Sequence, residues 1–202
     1  MPNTLDGLYT QAAEATRSGS RTFFLATRYF PPELARAAHA AYWFAGYTRG
    51  LGRHAITADQ GRRDLDRWEE QVHKGLRGQL ARNPVLEVFL DATEQHKIPH
   101  RFATDLIEGA RMDLDRTRYQ SFSELREYCH RTSGTMSVLM AHLIGYRGPA
   151  PPKGHGLHHY HFKLFALDGP LDLAPGVDKA ALLAAIEGHV IAEGELIGTY
   201  QR

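Results

Sequence analysis

Apolar residues recur at helical spacing through most of the first 144 residues, and proline or hydroxyl residues stand where helices would begin. Ser121 and Glu124 form a capping-box pattern, and Asp59 is a candidate N-cap. A compact aromatic segment spans residues 21–30. The predicted helices cover residues 3–17, 32–51, 60–77, 84–96, 99–115 and 122–144. Short loops join them, which predicts an all-α bundle over this part of the chain.

The hydrophobic period changes after the segment Gly145–Pro152. Residues 158–167 and 190–200 alternate as strands do, and Asp178 precedes a short helical pattern at residues 179–187. Because a two-stranded sheet is marginal alone, we expect the strands to pair with each other and to lean on the helical part.

This change of pattern predicts two domains, residues 1–146 and residues 147–202, and neither has the pattern of a complete fold. The predicted fold class is mainly α. It consists of a partial helical bundle followed by a small α+β segment in the order strand, helix, strand.

Composition narrows the class of protein. The chain has 202 residues and a net charge of +1, so no global field attracts nucleic acid. Its single cysteine, Cys129, excludes an internal disulfide and fits a reducing compartment. The N-terminus lacks the apolar core of a secretory signal, and no apolar run approaches the roughly 20 residues of a spanning helix. We therefore expect a cytoplasmic protein whose membrane contact, if any, is peripheral.

A row of acidic residues is the first candidate for chemistry. Helical spacing places Asp105, Glu108 and Met112 near one stripe. Carboxylates that face the interior of a bundle can hold divalent cations. The alternative, which we favour from the pattern alone, is solvent exposure with local arginine pairing, because charged side chains are mostly exposed.

Several stretches of the helical part match a known family in the right order and spacing. They are Ser18–Thr27, Pro31–Pro32, Ala41–Phe44, Asp105–Tyr119 and Tyr128–Gly134. On these stretches, residues 14–146 resemble the squalene/phytoene synthase family of head-to-head isoprenyl diphosphate synthases. The resemblance implies a class I isoprenoid-synthase bundle with a central cavity for prenyl chains. It also implies two aspartate-rich motifs that bind magnesium, which in turn binds diphosphate, since hard cations take oxygen ligands.

The same resemblance implies roles for six residues. It gives vestigial catalytic positions to Tyr128 and Asp113, and substrate-binding positions to Phe23, Tyr42, Asp105 and Arg131. The alternative for Tyr128, which we favour, is a tyrosine that now serves the core. The ligand class that the family implies is an isoprenoid or another lipid. A partial bundle would expose an apolar face, on which a second copy of the chain could also bind.

The first aspartate-rich motif departs from the family pattern. Arg49 and Arg53 stand where the aligned carboxylates are expected, and Gly46 stands in the place of a phosphate-binding arginine. Arginine cannot ligate magnesium or lose its charge, so we expect no cofactor. These arginines are either an exposed loop or, alternatively, direct ligands of a diphosphate. The second motif belongs to later helices of the family, which we expect this chain to lack.

The C-terminal stretches show a second resemblance. They are Gly148–Tyr160, His161–Asp168, Leu171–Gly176 and Lys179–Arg202, and they resemble the last third of bacterial phosphatidylethanolamine-binding-protein-like (PEBP-like) proteins. That likeness implies that His158 and Tyr160 are remnants of an anion pocket, with His159 in the place of an arginine. The other half of the pocket motif, Asp-Pro-Asp-x-Pro, does not occur in the sequence.

Four histidines fall between residues 155 and 161. Their spacing could supply zinc ligands, but His158 and His159 point to opposite faces of a strand. We therefore predict no metal site there.

Three functions remain open at this point. The chain is a degenerate synthase-like protein without head-to-head activity, a non-catalytic module that binds prenyl chains, lipids or proteins, or a non-functional product of gene fusion.

Overall fold

The computed structural model describes residues 4–115, 118–145, 150–174 and 176–202. They belong to two units, residues 1–146 and residues 147–202. The first unit contains α1 (Leu5–Gly19), α2 (Arg21–Thr27), α3 (Pro32–Arg53), α4 (Ala58–Leu76), α5 (Pro84–His96), α6 (Arg101–Asp115), α7 (Phe122–Cys129), a π-helical turn (His130–Gly134) and α8 (Thr135–Leu143). The second contains β1 (His158–Leu167), α9 (Lys179–Ile186) and β2 (Val190–Tyr200). Among the described residues, no helix has the length and apolar character needed to cross a membrane.

Side-chain caps begin most helices of the first unit. Ser20 caps α2, Asn83 caps α5 and Ser121 caps α7, each accepting a hydrogen bond from a first-turn N–H group. The prediction of Asp59 as the cap of α4 was wrong, because Thr57 accepts from the backbone N–H of Gln60 at 3.2 Å. An N-cap needs extended backbone outside the helix, and Thr57 has it.

Helix α3 lies at the centre of the first unit and packs against α1, α4, α5, α6 and α8. Its alanines let neighbouring helices approach closely, and Phe44 is completely buried. The Phe44 ring stacks on Phe89 with 4.0 Å between centroids and lies 5.6 Å from Trp68. Trp68 donates its indole N–H to Thr48 at 2.9 Å, which satisfies a polar group inside the core.

A π-helical turn interrupts the single helix predicted for residues 122–144. At the turn, α6 comes so close that a Cβ on Gly109 would lie 2.6 Å from the carbonyl oxygen of Arg131. Thr135 donates both its backbone N–H and its hydroxyl to the His130 carbonyl, the hydroxyl at 2.8 Å, so a side-chain bond reinforces the π-helical one. Close packing and a side-chain hydrogen bond therefore accompany the π-helical turn.

The second unit is a two-stranded antiparallel sheet with a short helix between its strands. The register runs from His158 opposite Tyr200 to Leu167 opposite Val190, with an irregularity at Ala166 and Leu167. The prediction that the two strands pair with each other is confirmed. The expectation that they lean on the helical part stays a prediction.

Candidate functional site

One stripe of α3 carries the residues of the altered motif. Tyr42, Gly46, Arg49 and Arg53 are spaced at i, i+4, i+7 and i+11, which places them on one face of the helix. Arg49 is partly buried, and its Nε donates to the Ala45 carbonyl at 3.4 Å. The Arg53 side chain is 65% exposed. We call Tyr42, Gly46, Arg49 and Arg53 the α3 stripe.

An aromatic pair lies at the N-terminal end of the α3 stripe. The rings of Phe23 and Tyr42 stack with 5.1 Å between centroids and 20° between planes. The backbone of Gly19 also lies close to Tyr42, because a Cβ at Gly19 would meet the Tyr42 ring and hydroxyl at 3.0 Å. The structure thus brings together two predicted substrate-binding residues, both half-buried.

Tyr128 and Asp113, the predicted vestigial catalytic pair, are in direct contact. The Tyr128 hydroxyl donates to Asp113 Oδ1 at 2.7 Å, and the Tyr119 ring lies 5.0 Å from the Tyr128 ring. The hydrogen bond to Asp113 raises the pKa of Tyr128 to about 12. Tyr128 is therefore a neutral phenol at physiological pH, with its proton directed at the carboxylate.

Arg53 reaches the same pair from α3. Its Nε lies 4.0 Å from Asp113 Oδ2, and the Asp113 side chain is only 19% exposed. The positive charge of Arg53 lowers the pKa of Tyr128, although the hydrogen bond and burial outweigh it. Arg53, the last residue of the altered motif, therefore lies beside the vestigial catalytic pair.

Arg131 contacts Asp105, and both are predicted substrate-binding residues. It donates to Asp105 at 3.1 Å and to Glu127 at 2.7 Å, and the hydrogen bond to Glu127 lowers the pKa of that carboxyl. Glu108 lies 3.5 Å from Arg111. Local arginine pairing, the favoured interpretation of the acidic row, is what the structure shows for Asp105 and Glu108.

These residues do not fit a magnesium site. The described part of the chain contains no group of three or more His, Cys, Asp or Glu side chains that could hold a metal ion. Arg53 is a cation 4.0 Å from Asp113, and Asp113 already accepts a hydrogen bond from the Tyr128 hydroxyl. A guanidinium repels a divalent cation and cannot ligate it, so the site offers no chemistry that runs through bound magnesium.

The predicted anion-pocket remnants lie on β1. His158 pairs in register with Tyr200 and Tyr160 with Gly198, so their side chains share one face of the sheet while His159 belongs to the other. His161 lies 3.0 Å from Glu195 across the strands. The anion pocket itself stays a prediction.

Two features of the site escaped the sequence reasoning. The pairing of Arg53 with Asp113 joins residues that are far apart in the chain, and only the alignment of both to one family site could have signalled it. Buried His39 was also missed. Its Nε2 lies 2.8 Å from the Thr27 hydroxyl and its ring stacks on Phe24, and a histidine inside an alanine-rich stretch was the available signal.

Comparison with solved structures identifies the fold of the helical unit. A squalene synthase from Alicyclobacillus acidocaldarius has the same fold, with a TM-score of 0.63 and 23% identity over 72% of this chain and 54% of that chain. The predicted fold class is confirmed: a mainly helical, partial class I isoprenoid-synthase bundle followed by a small α+β segment.

Two relatives match different shares of the chain. A phytoene synthase of Arthrospira platensis is 30% identical over 148 residues, which is 73% of this chain and 48% of that protein. A UPF0098 protein of Pyrococcus horikoshii is 61% identical over only 59 residues, which is 29% of this chain and 30% of that protein. The chain thus spans no more than about half the length of either relative.

The squalene/phytoene synthase family model matches residues 16–161. The match extends past residue 146, where the resemblance was expected to stop, and it covers more than half of the chain. The chain belongs to the squalene/phytoene synthase family.

Proposed function

We propose that this protein is a family member that does not carry out head-to-head condensation of prenyl diphosphates. The observation that carries the proposal is the contact of Arg53 with Asp113. A permanently charged guanidinium stands there, at a position where the family pattern has a carboxylate.

The chemistry of the family requires a cation that can leave water and bind diphosphate oxygens. Magnesium needs carboxylate oxygens at about 2.0–2.1 Å in near-octahedral geometry. Arg49 and Arg53 supply none, and Asp113, the carboxylate that Arg53 contacts among the described residues, already accepts a hydrogen bond from Tyr128. Tyr128 holds its proton, with a pKa raised to about 12, so it does not act as a base near neutral pH.

The test is incubation of the full chain with farnesyl or geranylgeranyl diphosphate and magnesium, followed by mass spectrometry. An active dehydrosqualene synthase serves as the positive control. We expect no squalene, phytoene or cyclopropyl intermediate above background. Formation of any of these products by the protein would refute the proposal.

A second candidate function is binding of a prenyl or lipid chain without catalysis. The stacked, half-buried pair Phe23 and Tyr42 favours it, since aromatic faces at a partly open surface suit apolar ligands. Farnesol and geranylgeraniol should then raise the melting temperature, because a ligand of the native state adds stability. The shift should vanish in Tyr42→Ala and persist in Tyr29→Ala, whose parent side chain is 91% exposed. No shift at saturating alcohol would remove this candidate.

For the C-terminal unit, we infer that most of the 59-residue match to the UPF0098 protein falls on residues 147–202, which are 56 residues long. We propose that this unit is a PEBP-like segment fused to the helical part, on the resemblance of the stretches Gly148–Tyr160 and Lys179–Arg202. A fusion of two incomplete domains also admits the third possibility, a product without function. Circular dichroism separates the cases: a cooperative melt with a near-ultraviolet signal would exclude a poorly folded product.

A further inference from the structure

We propose that the α3 stripe binds a diphosphate group directly on the guanidinium groups of Arg49 and Arg53, without a divalent cation. The inference rests on the proposed function, because it assigns a ligand to a site that lacks metal chemistry.

The first argument is that these two arginines have hydrogen-bond donors to spare. Arg49 uses only its Nε, on the Ala45 carbonyl, and among the described residues it forms no ion pair. Arg53 has one partner at 4.0 Å, well beyond the roughly 2.7–2.9 Å of a charge-assisted hydrogen bond. The terminal nitrogens of both side chains are therefore available.

Neighbouring arginines on other elements differ in this respect. Arg62 reaches Asp115 at 2.6 Å and Asp59 at 2.9 Å. Arg111 reaches two carboxylates of α4, and Arg131 reaches Asp105 and Glu127. Each of these three is bound to two or more carboxylates within the helical unit. Arg49 and Arg53 therefore differ from these three neighbours, because neither has a described carboxylate within the distance of a charge-assisted hydrogen bond.

The second argument is spacing. Arg49 and Arg53 are four residues apart, so they lie on one face with a rise of about 6 Å between them. A guanidinium is a planar fork that matches phosphate oxygens two at a time. Gly46 leaves room beside the pair, since a Cβ there would meet no atom within 4 Å. Two forks along an open stripe suit an anion with two phosphoryl groups.

The third argument is the local balance of charge. The stripe carries two guanidinium groups, one of which lies 4.0 Å from the carboxylate of Asp113, and the adjacent phenol of Tyr128 is neutral. A diphosphate carries more charge than Asp113, and Arg53 is exposed enough to turn towards it. Magnesium would neutralise the diphosphate, so it should weaken binding here. A carboxylate site behaves in the opposite way, because there the metal links the protein to the anion.

The test is calorimetric titration of inorganic diphosphate into the full chain, once with EDTA and once with magnesium at matched ionic strength. We expect binding in EDTA and weaker binding in magnesium. Arg49→Gln and Arg53→Gln should each lower the affinity about tenfold, as expected when a charged hydrogen-bonding partner is lost. Arg77→Gln is the control, because Arg77 caps the far end of α4 and should leave the affinity unchanged. Far-ultraviolet circular dichroism verifies that each variant is folded.

A second titration with farnesyl diphosphate in EDTA identifies the source of the anion. The affinity for farnesyl diphosphate should fall in both arginine variants in the same way. Any affinity in excess of that for inorganic diphosphate is the contribution of the prenyl chain. Three results would overturn the inference: no binding at millimolar diphosphate, binding only with magnesium, or equal effects of Arg49→Gln, Arg53→Gln and Arg77→Gln. None of these produces a condensation product, so failure here is distinct from failure of the proposed function.

Discussion

The two units of this chain bury their apolar residues to very different extents. In residues 1–146 a continuous core forms around α3, and side chains as large as Phe44 and Phe89 are fully enclosed. In the described part of residues 147–202, the buried residues are Pro151 and Ile186. Large side chains such as Leu164 and Leu196 remain mostly exposed on the hairpin.

This difference shows that a chain can form the helices and strands predicted by its hydrophobic pattern without enclosing a core. Both units have the helices and strands that their periodicity predicts. Only the helical unit has enough layers to enclose its apolar faces, since a lone two-stranded sheet is at best marginally stable. The account of function rests on the helical unit for the same reason.

The largest expected effect comes from the centre of the helical core. Phe44→Ala removes a fully buried ring that stacks on Phe89, and such truncations cost about 3–5 kcal/mol of unfolding free energy. Urea denaturation followed by tryptophan fluorescence measures it, because Trp43 and Trp68 are the only tryptophans and both lie in the helical unit.

Phe162→Ala in β1 is the matched control, since this ring is 47% exposed. It should leave the tryptophan-monitored transition within about 0.5 kcal/mol of the wild type. Equal losses of unfolding free energy in Phe44→Ala and Phe162→Ala would contradict the claim that only the helical unit encloses a core.

A smaller effect is expected where α6 touches the π-helical turn. Gly109→Ala places a Cβ 2.6 Å from the Arg131 carbonyl, so backbone must move, at a cost of about 1–3 kcal/mol. Gly46→Ala is the control in open space and should stabilise the helix by about 0.5–1 kcal/mol. Thermal melts of the two variants should therefore shift in opposite directions, and a shift in the same direction would show that the contact is not tight.

The smallest effect is a pH dependence. Burial lowers the pKa of His39 below its ordinary value of 6.5, so the folded state disfavours the charged ring. The unfolded chain binds this proton first as the pH falls, and stability should therefore decline below about pH 6.5. The decline, measured by urea denaturation between about pH 7 and 5, should be shallower in His39→Gln than in His159→Gln, a change at an exposed strand residue. Identical slopes would exclude His39 as the cause.

The sequence predicted most of the fold because its signals are local. The bounds of β1, β2 and α5 agree with their predicted ranges, since alternation, flanking turn residues and an opening proline act within a few positions. The π-helical turn could not be predicted in this way. It depends on the approach of Gly109 from another helix, which no pattern within residues 122–144 encodes.

The site was predictable only as far as the family pattern reaches. That pattern singled out Tyr128, Asp113 and the substituted Arg53. It gave no distance between them, and the hydrogen bond from Tyr128 to Asp113 depends on how α6 and α7 are placed in the fold.

The central claim is that arginines on α3 have replaced metal-binding chemistry in a partial bundle. Its most direct test is product analysis of the Arg49→Asp/Arg53→Asp protein with farnesyl diphosphate and magnesium. Restored carboxylates would hold a metal on one side of the diphosphate only, because the described residues contain no group of three or more metal-binding side chains to oppose them. Metal-assisted ionisation needs a closed, water-poor site. We predict a modest rise in magnesium affinity with product at background, and measurable head-to-head condensation would contradict the account.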